Sequence, residues 1–404
     1  MKEADAFVDE LTQPLSTIFP EVAGIRRNAL TAGGASLMLS AIGWFFNPVQ
    51  FYRSYLIAAI FWLGVGLGCL SILMVQYLSG GAWGLVIRRL LEAGAGTLRV
   101  VPALFVPLVF GIHQLYTWSR AEEVKHSEVL QQKTAYLNLP FFSLRALIYF
   151  AAWFVLAHLF QNWSLEQDRT ADRAILRRLQ LFSGPGLVLI ALTVTFASVD
   201  WIMSLDPKWF STIFGLLLAA TQALSAFAFV VALCVWLHRR GPLAMLSAEH
   251  FQDFGKLLLA FVMVWAYLGF SQFLVIWSGN LPEEIPWYLR RLHGGWNWMA
   301  LLLVVFQFVL PFLVLLSRDL KRNPRLLGLV AGWVFLMSFV HLFWMIAPEF
   351  HHQGFYLHWM DVTTLAGVGG LWFGYFLTQL GRAPLLPIHD PYLAEALSHG
   401  ASHA

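Results

Sequence analysis

Charge is what this sequence has least of. Asp, Glu, Lys and Arg make up 12% of its 404 residues, against about 25% in an average soluble protein. So few ionic groups cannot cover the exterior of a soluble chain of this length. With 58% of the residues hydrophobic, lipid must solvate much of that exterior. Cysteine is nearly absent too. Cys69 and Cys234, both inside apolar stretches, cannot between them hold an iron–sulfur cluster or a structural zinc, and read as small buried hydrophobes. No basic run marks a nucleic-acid partner. Nor does the start show the basic-then-apolar order of a secretory leader: Glu3, Asp5, Asp9, Glu10 and Glu21 occupy residues 1–24, so the first membrane helix is expected to act as its own insertion signal.

What the chain does have is long apolar runs of the roughly 20 residues a membrane span needs. Seven are clear: residues 28–46, 54–78, 100–118, 209–237, 257–277, 292–317 and 326–347. Three more carry an ionisable group, namely 139–160 with Arg145, 182–205 with Asp200 and 355–380 with Asp361. The fold class expected is an all-α integral membrane protein of about ten transmembrane helices, with a single membrane domain (25–381) between cytoplasmic segments 1–24 and 382–404. Basic residues test that count. With Arg145 set aside as intramembrane, 18 of the remaining Lys and Arg, Lys2 among them, fall on the side of the two termini and 7 on the other. That excess marks the cytoplasmic side and places both ends there.

Trp83, Val86, Ile87, Leu90 and Leu91 recur at helical spacing beside Arg88 and Arg89, the pattern of a helix lying in the interface plane. Trp118, Trp163, Trp209, Trp277 and Trp287 cluster near span ends, where amphipathic rings sit at headgroup level. Gly64 with Gly68, and Gly370 with Gly374, are small-residue pairs that let helices approach closely.

Ionisable groups at membrane depth are expensive and face a bundle interior or a hydrated cavity. Asp361 is expected roughly 9 Å inside its span from the external end, and Asp200 at similar depth. His113, Arg145, Gln272 and His341 fall in the same external third, with His293 and His358 near that interface. His158 and Thr193 lie toward the cytoplasm, and Thr221, Gln222, Ser225 and Gln307 near the middle. Thr193, Ala197, Asp200 and Ser204 share one helix face, as do Ser338 and His341. Two readings stand. The set can line a proton path through Asp200, Asp361, His113, His341, Arg145, His158, Thr193, Ser204 and Ser338, or Asp200 can pair permanently with Arg145 while the histidines bridge helices. His113, Gln272, His293 and His358 are also candidates for lining a quinone cavity. A bis-histidine haem is not expected, since the expected spans that carry His113 and His341 offer one well-embedded histidine each.

Two long stretches carry a resemblance. VDWIMSLDPKWFSTIFG (199–215) and YLGFSQFLVIWSGNLPEEIPWY (267–288) resemble the ActF subunit of bacterial alternative complex III, a quinol:electron-acceptor oxidoreductase, over roughly residues 25–380. The resemblance implies an NrfD-like fold, with two four-helix bundles (spans 2–5 and 6–9) flanked by spans 1 and 10. It also implies partners in a bacterial inner membrane: a paralogous NrfD-like quinol-binding subunit, an iron–sulfur protein, multihaem and monohaem cytochrome c subunits, small membrane subunits and lipids. Haem c and iron–sulfur clusters would sit on those partners, and a quinone (menaquinone or ubiquinone) is the one cofactor this chain could touch. The role it implies is proton translocation and scaffolding within the complex, or a second quinone-binding subunit. Outside the resemblance, a lipid-binding scaffold and a stand-alone transporter are the competing readings.

Overall fold

The computed structural model describes residues 13–398; the acidic residues Glu3, Asp5, Asp9 and Glu10 and the basic Lys2 lie outside them. Among the described residues every regular element is helical. Nine helical segments are long and apolar enough to cross a membrane: α1 (Glu21–Phe46), α2 (Pro48–Ser79), α3 (Arg88–Phe110), α4 (Leu139–Thr170), α5 (Arg173–Leu205), α6 (Phe214–Arg240), α7 (Ala248–Gly279), α8 (Trp296–Leu316) and α9 (Pro324–Glu349). The expected tenth span is the 22-residue helix α10 (Trp359–Leu380), which is not among those nine. Asp361, three threonines and four glycines dilute its apolar content.

Local chemistry sets the helix starts. Asn47, Asn138 and Asp172 cap α2, α4 and α5 through side-chain oxygens that accept from backbone N–H groups, satisfying donors with no intrahelical partner. Pro48 and Pro324 stand in the first turns of α2 and α9, where a missing N–H is harmless. A Ser247–His250 box opens α7.

Helices α2 and α6 form the centre. Helix α2 packs on α3, α5, α6 and α10, and α6 also packs on α7 and α9. The contact rests on glycine: a Cβ on Gly68 would lie 2.2 Å from the Gln222 carbonyl oxygen, and one on Gly64 2.9 Å from Gln222 Cγ. Helix α10 runs antiparallel to α1 along its length, with Gly370 against Gly33, Gly374 against Leu30, Gly367 against Leu37 and Trp359 against Gly43. Leu15 N–H donates to the Ala383 carbonyl and the Ser16 hydroxyl to that of Gly381. The chain therefore brings residues 15–16 and 381–383 to one end of the bundle, here called the terminal end; the other is the loop end.

Three expectations need correction. The segment 83–91 does not form a surface helix. Arg88–Gly96 is buried throughout against α2 and forms the first part of α3, because partners distant in sequence neutralise its arginines. The third span stops at Phe110 rather than at residue 118: the helix breaks at Gly111, whose Cα faces the Tyr52 ring so closely that a Cβ would sit 2.3 Å from it. Trp118, Trp209 and Trp287 are buried, not headgroup anchors; Trp118 donates to Ser204 Oγ at 3.2 Å, and Trp209 stacks on Trp287 with centroids 4.8 Å apart. Trp277 is 68% exposed.

Candidate functional site

Buried polar groups gather at both ends of the bundle and thin out between them. At the loop end, the Thr193–Ala197–Asp200–Ser204 face turns inward as its spacing suggests. Arg145 grips Asp200 with two bonds, Nε to Oδ2 and Nη2 to Oδ1, each 2.8 Å. The Tyr149 hydroxyl donates to Oδ2 at 2.8 Å. The guanidinium also donates to the Tyr136 carbonyl at 3.0 Å and lies over the Tyr136 ring, 3.8 Å from its centroid. Ser204 Oγ donates to the Asp200 carbonyl, and Trp153 Nε1 to Thr193 Oγ1 at 2.8 Å. A bidentate, desolvated pair of this kind is a strong charge-assisted contact. Asp200 is thus an occupied acceptor rather than a free carboxylate.

Asp361 is held differently. Its Oδ1 accepts from the Ser54 hydroxyl at 2.5 Å and from Gln50 Nε2 at 3.4 Å, and its Oδ2 from the His358 N–H at 2.8 Å. His358 and Asp361 together form the capping box of α10. The carboxyl is buried, yet among the described residues no Lys or Arg forms a salt bridge with it. Its titratable neighbour is the His358 imidazole.

Between the ends, His341 Nδ1 lies 3.3 Å from Thr221 Oγ1 and accepts from Trp265 Nε1 at 3.3 Å. Ser338 Oγ donates to its own helix at the Val334 carbonyl. Two cavities of about 10 Å³ touch Gln222, one between α2, α5 and α6 and one beside Thr221 and Ser225; each has room for about one water. Gln307 is fully buried with both amide atoms unpaired. It sits in a π-helical stretch, Val304–Val309, a distortion frequent at functional sites; the sequence gives no sign of that distortion.

Among the described residues no hydrogen bond joins the four read as a quinone cavity to one another. His113 is exposed on a short helix beyond α3, against the Ser119 carbonyl. His293 Nδ1 meets the Leu289 carbonyl at 2.7 Å. Gln272 is buried with neither amide atom in a hydrogen bond. His358 caps α10. His158, placed by the sequence on an interior path, lies on the exposed outer face of α4 beside Asn162.

No family model matches the chain, and no curated protein does. The two stretches that carry the resemblance do meet in space. Trp209 of the first stacks on Trp287 of the second, and Asp206 of the first bonds to Arg290 just beyond the second. Arg290 and the buried Arg291 both reach Glu349, at 3.3 and 2.9 Å, which locks α9 to the loop. Burial pushes the Arg291 guanidinium down to about 10, with Glu349 opposing.

At the terminal end Arg89 donates to Glu92 at 2.6 Å, to Ser164 at 3.1 Å and to Asp168. Arg88 meets Asp390 at 2.6 Å, with both side chains buried. Residues 382–398 are therefore no loose tail over the part described: Asp390 is clamped by Arg88, and the Ala396 carbonyl contacts His250 Nε2 at 2.9 Å. Sequence reading missed this network, since its members lie up to 302 positions apart. Among the described residues no group of three or more His, Cys, Asp or Glu is placed to hold a metal.

Proposed function

We propose that the chain is a multi-pass subunit of a quinol-oxidising electron-transfer complex of the alternative complex III kind, in a bacterial inner membrane, and that it moves protons rather than electrons. In this reading α10 crosses the membrane beside α1, giving ten spans with both ends cytoplasmic. Helices α2–α5 and α6–α9 are the two bundles, and redox centres reside on iron–sulfur and cytochrome c partners beside a paralogous quinol-binding subunit. The antiparallel seam of α1 and α10 supports the tenth crossing: a helix paired along its length with a spanning helix shares its depth. The contact between the two resemblance stretches supports treating them as one structural unit.

The observation that carries the proton role is the contrast between the two carboxylates. Asp200 is neutralised by Arg145 and serves architecture. Asp361 is buried and bonded to hydroxyl, amide and backbone donors with no basic side chain bonded to it, so it can take and release a proton without stranding an opposite charge. Thr221, Gln222 and His341 stand midway, and the Arg89–Glu92–Ser164–Asp168 network at the terminal end. The test uses the assembled complex in vesicles. Asp361→Asn is expected to abolish proton translocation while quinol turnover persists, and unchanged translocation in that variant sinks the reading. A scaffold role is the second reading, favoured by how completely Asp200 and Arg291 are paired, and it expects both activities to survive Asp361→Asn.

A further inference from the structure

Beside the Arg89–Glu92 network of the terminal end lies a cavity of about 230 Å³, walled by the Arg88–Gly96 helix, α4 and the C-terminal end of α10. Six residues define its chemistry: Arg89, Glu92, Arg99, Gln161, Gln379 and Arg382. Two of these are already satisfied by each other, because both oxygens of Glu92 are taken, one by Arg89 and one by Ser164. The remainder is unbalanced. Arg99 and Arg382 lie within electrostatic reach of one another, and among the described residues neither forms a salt bridge with a carboxylate. The Arg99 Nε and Nη2 donors are buried and meet no acceptor in hydrogen-bond geometry, the Tyr375 hydroxyl being the polar group beside the guanidinium. Gln379, 4% exposed, accepts at Oε1 from Gln161 Nε2 and keeps an unpaired Nε2, while Gln161, 9% exposed, keeps an unpaired Oε1. Buried donors without acceptors are rare in folded proteins, and two like charges at a roomy cavity call for an anion between them.

We propose that this cavity binds a phosphate-class oxyanion, held by Arg99, Arg382 and the Gln379 amide. The geometry suits a tetrahedral group: planar guanidinium forks match phosphate oxygens, and the volume exceeds the roughly 30 Å³ of a water several times over. Two sources share that chemistry, the headgroup of an anionic phospholipid and soluble phosphate. The position beside the outer face of α4, where Phe154, His158 and Asn162 are exposed one turn apart, gives a headgroup a route in from the bilayer.

The test uses the full chain in its complex. In detergent stripped of lipid, inorganic phosphate is titrated against thermal unfolding. In nanodiscs, phosphatidylglycerol is compared with phosphatidylcholine by native mass spectrometry of the retained lipid. Each is repeated with Arg99→Gln, Arg382→Gln and the conservative Arg99→Lys. Arg382 is solvent-exposed, so its variant folds even if Arg99→Gln does not. Loss of either fork is expected to weaken binding about tenfold or more, and Arg99→Lys to restore part of it. Phosphate protection lost in the variants assigns a soluble anion, and phosphatidylglycerol retention lost in them assigns a lipid headgroup. No selective binding of either probe, or binding that both glutamine variants leave intact, overturns the proposal.

Discussion

Removing one partner of the Arg145–Asp200 pair is the sharpest test of how the loop end is built. Asp200 is 0% and Arg145 8% exposed at the side chain, so each singly substituted protein strands a desolvated charge, a loss of about 3–5 kcal/mol. Asp200→Ala also frees the Tyr149 hydroxyl, and Arg145→Met frees the Tyr136 carbonyl, each a further 1–3 kcal/mol or so where water cannot enter. The double variant Arg145→Met/Asp200→Ala removes both charges together. Since apolar replacements of buried pairs are often neutral or better, it should lie within about 3 kcal/mol of the parent, so the coupling is at least about 3 kcal/mol. Reversible unfolding in mixed micelles, followed by circular dichroism, measures all four corners of the cycle. Additive single substitutions, or an Asp200→Ala loss under about 1 kcal/mol, would refute a locked pair and return Asp200 to the proton path.

Other expectations follow from single contacts. Gly68→Ala drives a methyl into the Gln222 carbonyl and should lower stability by about 1–3 kcal/mol or separate α2 from α6, read by thermal unfolding; Gly370→Ala should act likewise on the seam of α1 and α10. Arg291→Leu leaves Glu349 buried opposite Arg290 alone and is expected to lose about 3 kcal/mol in the same assay. Burial, with Arg53, His352 and His358 nearby, pushes His351 down to about 4. The unfolded chain therefore binds that proton first, so stability is full above the ordinary histidine range and falls as pH drops from about 6.5 toward 4; His351→Gln should flatten melting temperature against pH over that window. His158→Ala, on the outer face of α4, should leave turnover and proton movement unchanged.

The spans were legible because twenty apolar residues have few other uses, and the inward face of α5 because a helix fixes which residues share a side. What faces what was not. Helices apolar on all sides carry no signal of orientation, so His158 read as interior when it points outward. The pattern around Arg88 and Arg89 is identical whether lipid headgroups or Asp390 and Asp168 neutralise the arginines. Only long-range pairing decides between them, and single-sequence periodicity cannot register it. Gly33 and Gly43 went unremarked for the same reason, since a glycine signals close approach only once the opposing helix is known.

The two buried carboxylates looked alike in sequence, each an isolated Asp near the expected external end of an apolar run, Asp200 toward the C-terminus of its run and Asp361 toward the N-terminus of its own. Their surroundings separate them by a single criterion, the sign of charge within bonding distance. A carboxylate clamped by a guanidinium is half of a pair, and breaking that pair would strand the cation in a buried site. A carboxylate held by Ser54, Gln50 and a backbone N–H meets no such penalty in either state, since hydroxyl and amide groups can reorient to donate or accept. If protons cross this chain, Asp361 can hold one in transit, and Asp200 keeps α4 and α5 together while it does so.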